Sequence, residues 1–240
     1  MKTYEDACSD IKWNMTAGQI EAESFRIIES EYKNTRFTEP EWKVARRLIH
    51  TTADFSICDN LVFRNNPIES ALKAVSNGAV IYCDSNMIKS GISVQKLKMF
   101  NPSYSRDSIQ CYISDVDVAE DAEKHGTTRA LASLKKAGAI LDVAIVLIGN
   151  APLALAGIAK LCLEKKIRPA VIIGMPVGFV NVVESKVLLS KTDIPHVTIE
   201  GRRGGSTLAV AALHAMLEGK LDPRMNPGSG TSRIDGGLNL

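Results

Sequence analysis

The sequence predicts an α/β protein: a three-layer α/β/α sandwich built on a mainly parallel central sheet. Three observations carry that expectation. Short, continuous apolar runs, the strongest over 143–148, have the composition of strands buried on both faces. Each run is followed by an amphipathic stretch at helical spacing. Several runs end at or just before a glycine, where a strand gives way to a turn.

The N-terminal part reads as helix, because Ile20, Phe25, Ile28 and Tyr32 recur at helical spacing. A second helix begins with Pro40 at an early position and carries Trp42, Val44, Ala45, Leu48 and Ile49 toward His50. From there the chain alternates. Strands are expected at 79–83, 109–113, 143–148, 170–173 and 196–199, and helices at 116–124, 128–136, 152–165, 183–189 and 206–217. This is a Rossmann-like arrangement with right-handed crossovers. In such sheets ligands bind beyond the carboxyl ends of the strands, which directs attention to the loops there. No domain boundary or internal repeat stands out, so residues 1–225 are expected to form one domain. Residues 226–240, rich in Gly, Ser and polar side chains, are expected to form a mobile tail.

Composition excludes several classes. The chain has 240 residues, 45% apolar and 23% charged, as in an ordinary globular protein. A net charge of +2 with dispersed basic residues argues against a nucleic-acid partner. The most apolar stretch, 142–156, contains Gly, Asn and Pro and is too short to span a bilayer. Residues 1–10 hold no apolar core of signal-peptide type, so a cytoplasmic protein without membrane contact is expected. Cys8, Cys58, Cys83, Cys111 and Cys162 are scattered, with no CxxC, and read as buried reduced thiols. His50, His125, His196 and His214 form no HxxxH or HExxH pair, so no metal site is expected.

Candidate site residues lie in the loops after strands. Gly201-Arg202-Arg203-Gly204-Gly205-Ser206 joins a strand to a helix. Its glycines allow a tight fold with N–H groups pointing outward, the helix start adds partial positive charge, the arginines add full charges, and Ser206 suits a helix N-cap. That makes an anion cradle; the plainer alternative is a tight turn with two solvated arginines. The loop is not a Walker A motif, and no GxGxxG follows a strand, so nothing supports a nucleotide. Asn150, in Gly149-Asn150-Ala151-Pro152, offers a donor and an acceptor at the sheet edge, or simply caps its turn. Phe179 walls an apolar pocket or packs in the core. Asp84 and Thr127-Thr128-Arg129 present polar groups at the rim, and helix capping accounts for them equally well. His50 stands near a helix end, where the macrodipole favours imidazolium, with Asp54 available to orient it. A lone histidine is more often structural.

Taken in order, six segments resemble the precorrin-8X methylmutase family. They are Arg47-Leu48-Ile49-His50-Thr51-Thr52-Ala53-Asp54-Phe55, residues 84–91, Thr128-Arg129-Ala130, Gly149-Asn150-Ala151-Pro152, Pro176-Val177-Gly178-Phe179-Val180 with Glu184-Ser185-Lys186, and residues 201–206. The resemblance runs from Ser24-Phe25 to about Ala215. One departure is Leu153, where the family usually has Thr. The resemblance implies a parallel sheet between helices, a homodimer, and a reaction that moves a methyl group from C-11 to C-12 of precorrin-8 during cobalamin synthesis, without redox cofactor or external methyl donor. It also implies that His50 is the catalytic histidine and that Ser24 lies near the pocket. Arg129, Arg202, Arg203 and the amides of Gly204, Gly205 and Ser206 are then expected to bind the substrate's carboxylates. Thr128 and Asn150 are expected to add polar contacts. Two rival readings stay open: a non-catalytic tetrapyrrole carrier, and an enzyme for a phosphorylated metabolite bound at the Gly201 loop.

Overall fold

The computed structural model describes residues 4–218, which fall into two compact units, residues 4–33 and 34–218. The expected tail at 226–240 lies outside the described residues. The first unit holds α1 (Tyr4–Ser9) and α2 (Ala17–Glu31). Thr16 starts α2 with a capping box. Its hydroxyl accepts from Gln19 N–H at 3.3 Å, while its own N–H donates to the Gln19 side chain at 2.8 Å.

In the second unit, α3 (Glu39–Thr52) begins with the same device, Thr38 paired with Glu41, and has Pro40 in its first turn. It stops at Ala53, which adopts a left-handed conformation (φ 51°). Asp54 then caps a short 3-10 helix, Phe55–Asn60, by accepting from Ser56 N–H at 2.9 Å. There follow β1 (Leu61–Arg64), α4 (Pro67–Ser76), β2 (Ile81–Cys83), α5 (Asn86–Gly91), α6 (Val94–Lys98), β3 (Ile109–Gln110), α7 (Val116–Lys124) and α8 (Arg129–Ala137). The last elements are β4 (Ile145–Ile148), α9 (Pro152–Leu163), β5 (Val171–Gly174), α10 (Val182–Leu189), β6 (His196–Ile199) and α11 (Ser206–Leu217).

The six strands form one sheet in the order β1-β6-β5-β4-β2-β3. All neighbours are parallel except β1, which runs antiparallel to β6 with Leu61 opposite Ile199 and Arg64 opposite His196. The reason is local: α3 and the 3-10 helix deliver the chain to the carboxyl end of β6, so the next strand must run back. The helices α3, α4, α5 and α11 pack together, as do α7, α8, α9 and α10, and these groups form the two outer layers. Strands β4 and β5 are fully buried, as continuous apolar runs require. Tyr82, Val146, Ile148 and Ile172 pack with Leu134, Leu155 and Ile158 on one face, and the alternate residues Ile145, Leu147 and Ile173 serve the other.

The five expected strands all form, three of them shortened: 79–83 to Ile81–Cys83, 109–113 to Ile109–Gln110 and 143–148 to Ile145–Ile148, where Val143 takes a left-handed conformation (φ 58°). Four of the five cysteines are buried, but Cys8 is half-exposed, contrary to expectation. No helix among the described residues is long and apolar enough to cross a membrane.

Candidate active site

Strand order puts the switch point between β2 and β4, since β2 leads outward to β3 and β4 leads the other way to β5. Asp84 sits there, directly after β2. Its buried carboxylate accepts N–H bonds from Gly149 (3.1 Å), Asn150 (2.8 Å) and Ala151 (2.6 Å). The anion position ahead of α9 is therefore filled by the protein's own carboxylate, whose pKa is raised by burial against the opposing pull of those amides. The backbone of Asn150 is committed to Asp84, while the residue as a whole is exposed at the rim. Gly149 allows a close approach: a Cβ there would lie 2.7 Å from Ser206 Cα.

The glycine loop after β6 is fastened at several points. Gly205 N–H donates to Met175 O at 2.8 Å, and Gly178 N–H to Arg202 O at 3.3 Å. A Cβ on Gly204 would fall 2.1 Å from Met175 O, so only glycine fits. From beneath, the buried Lys186 ammonium donates to Gly201 O (2.8 Å) and Arg203 O (2.6 Å). Burial lowers its pKa to about 8. The Ser206 hydroxyl lies 2.9 Å from that of Ser85.

The two loop arginines have different surroundings. The Arg203 guanidinium lies 2.6 Å from Asp54 Oδ2 and donates to Ser56 Oγ at 2.9 Å. Hydrogen bonds from Ser56, and then the Arg203 charge, hold the Asp54 carboxyl below its ordinary value. Arg202 stands 5.2 Å over the ring of Phe179, which is 83% exposed rather than packed in the core. Arg203 thus ties the glycine loop to the turn that follows His50. His50 itself is half-buried in the last turn of α3.

A cavity of about 360 Å³ lies between α3, α5 and α11, lined by Arg47, Thr51, Met87, Lys96, Ser206 and His214 among others. It shares Ser206 with the glycine loop, and Thr51 is the neighbour of His50. His214 Nε2 accepts from Ser93 N–H at 3.1 Å, and burial, with Lys96 and Arg47 nearby, lowers its pKa to about 4, so it stays neutral at physiological pH. A larger cavity, about 950 Å³, contains none of the candidate residues and sets the carboxylates of Glu39, Glu41 and Glu69 beside Lys43 and Lys73.

Thr128 caps α8, accepting from Leu131 N–H at 3.3 Å, and Arg129 follows it, exposed. Ser24 belongs to the first unit, where its hydroxyl donates to Ile20 O at 2.8 Å. Sequence marks Asp84 as a rim candidate, with helix capping as the equal alternative, and assigns Lys186 and His214 no role at the site. Only the last part of the Glu184-Ser185-Lys186 motif gave any signal for Lys186: a lysine on a helix that is otherwise apolar on that side.

A model of the precorrin-8X methylmutase family matches residues 19–219. A protein from Leptospira interrogans named cobalt-precorrin-8 methylmutase is 43% identical over 206 residues, 82% of this chain and 91% of that one. A precorrin-8X methylmutase from a Sinorhizobium species is 34% identical over 195 residues, 80% of this chain and 90% of that one. The solved structure of a precorrin-8x methyl mutase from Thermus thermophilus is 40% identical, covers 85% of this chain and 98% of its own, and superposes with a TM-score of 0.75.

The chain belongs to the precorrin-8X methylmutase family. Membership makes it an isomerase of cobalamin biosynthesis and leaves the carrier reading without support. Of the residues in methylmutase-like segments, Asp84, Asn150 and the glycine loop follow the carboxyl ends of strands, and the loop is bonded to the turn after His50.

Proposed function

We propose that the chain moves the methyl group at C-11 of precorrin-8 to C-12, giving hydrogenobyrinate, or cobyrinate when the substrate already holds cobalt. The relative at 43% identity is named for the cobalt form and the one at 34% for precorrin-8X, which favours the cobalt-containing substrate. The observation that carries the reading is the bonding of the His50 turn to an amide-rich glycine loop at one rim of the sheet. Reacting atoms in this rearrangement are already linked, so the protein supplies conformation and a proton. His50, in the last turn of α3, protonates or hydrogen-bonds a ring nitrogen near the migrating methyl and draws electron density toward it. No redox cofactor or external methyl donor takes part.

A cavity of about 360 Å³ holds an edge of such a macrocycle rather than the whole of it, so the ring extends over the rim. Its carboxylates meet Arg129, Arg202, the amides of Gly204 and Ser206, and Arg203 where Asp54 leaves it free, whereas the Gly205 N–H expected to join them is spent on Met175 O; Thr128 and Asn150 add polar contacts. Residues 1–225 act as one catalytic domain, a reading supported by a family match that spans both units. The enzyme works in the cytoplasm, in keeping with its free cysteines. It works as a homodimer, for which the exposed Phe179 and Val180 just before α10, with Val183 and Val187 on it, offer apolar surface.

The test is incubation with metal-free and cobalt-containing precorrin-8 in parallel, followed by product absorbance spectra. Conversion of the cobalt form is expected. Failure to convert either form overturns the proposal.

A further inference from the structure

We propose that Lys186 is a positioning residue that turns the amides of Arg202 and Gly204 outward to bind a carboxylate of the substrate. The inference rests on the corrinoid reading above and says which atoms recognise the ring's edge.

A trans peptide unit points its C=O and N–H in opposite directions, and this chain has no cis bonds among its described residues. The Lys186 ammonium draws in two carbonyls, Gly201 O at 2.8 Å and Arg203 O at 2.6 Å. These belong to the same peptide units as the N–H groups of Arg202 and Gly204. With the carbonyls fixed inward, both N–H groups face away from the ammonium. Neither has an acceptor among the described residues; Arg202 is exposed and Gly204 half-buried. Two alternate N–H groups held on one side of a glycine-rich turn make an anion-binding concavity.

The clamp is unusual in having no counter-anion. Lys186 is 4% exposed and has no carboxylate partner among the described residues. Burying an ammonium against two carbonyl dipoles alone is unfavourable, and a carboxylate docked on the far side of the same peptide units would offset that cost. Two other donors of the loop are taken: Gly205 N–H by Met175 O, and the Arg203 side chain by Asp54 and Ser56. The nearby crevice at the switch point is closed to anions by Asp84. The glycine loop is therefore where a carboxylate finds uncommitted donors.

The experiment uses the full chain with two probes of the same ring, dicyanocobyrinate and its heptamethyl ester, which lacks the carboxylates. Lys186→Met should weaken binding of the acid about tenfold or more while leaving the ester unchanged. In the wild-type chain labelled with nitrogen-15, the amide signals of Arg202 and Gly204 should shift with the acid and not with the ester. Acid binding by Lys186→Met at wild-type strength overturns the inference alone, as do amides unmoved by the acid. If the variant does not fold, the amide shifts decide. A wild-type chain that binds neither probe overturns the corrinoid reading, and this inference with it.

Discussion

Arg203 and Asp54 hold each other across the rim, with guanidinium Nη2 2.6 Å from carboxylate Oδ2 and the second guanidinium arm on Ser56. The contact joins the loop after the last strand to the turn that follows His50. Its partners are both solvent-accessible, so it contributes to geometry more than to stability.

Removing either partner should therefore damage turnover without unfolding the chain. Asp54→Ala and Arg203→Ala should each lower kcat about tenfold to hundredfold, as small misplacements of catalytic groups do. The double variant should be no worse than the worse single one, because both break the same link. A double-mutant cycle on kcat checks this, and strictly multiplicative losses would show that the two residues act separately. Arg203→Lys keeps the charge but not the fork that reaches Asp54 and Ser56 together, so it should rescue only partly.

His50→Ala separates chemistry from binding. Loss of acid assistance should reduce turnover about 10²–10⁴-fold. Corrinoid affinity, read from the absorbance change on titration, should stay within a few-fold of wild type. Wild-type turnover in this variant would remove His50 from the chemistry.

The parallel core was legible because full burial leaves a mark: the runs Ile145–Ile148 and Val171–Gly174 have no polar residue to hide. Strand β1 was not. Leu61 is buried, Val62 and Phe63 are half-buried and Arg64 is exposed, so this four-residue edge strand between Asp59-Asn60 and Asn65-Asn66 shows neither a continuous apolar run nor an alternation to mark it. In the same way, the site residues in loops could be named from glycine and polar clusters, but their partners could not. Asp84 looked like a helix cap, whereas it bonds amides from Gly149 to Ala151. For Asp54 the sequence offered His50 as a neighbour but gave no sign of the ion pair with Arg203. Such contacts are set by which strands lie side by side, and local sequence does not encode that order.

Asp84 offers a direct test of the switch-point arrangement. Its replacement by alanine leaves three N–H groups without their acceptor, that of Gly149 buried and those of Asn150 and Ala151 partly so. Asp84→Ala should lower unfolding free energy by about 2–4 kcal/mol. Asp84→Asn retains one acceptor oxygen and should fall between, with a matching order of denaturant midpoints. Equal midpoints for all three chains would mean that the turn at Asn150 is held by something other than this carboxylate.

Lys186 makes a prediction in pH. Burial puts its folded pKa near 8, below the 10.5 of an unhindered lysine. Below pH 8 the amine is charged in both folded and unfolded chains, and the folded state carries the full burial cost. Between pH 8 and 10.5 the folded chain releases its proton first while the unfolded chain keeps it, so stability due to this group rises with pH. Lys186→Met lacks the titration, and subtraction removes every group the two chains share. The unfolding free energy of wild type minus that of Lys186→Met should therefore increase by about 1–2 kcal/mol from pH 7.5 to pH 10. A difference that stays flat over that interval would mean the ammonium is better solvated than its contacts with Gly201 and Arg203 imply. A fall would mean that its charge stabilises the folded loop outright.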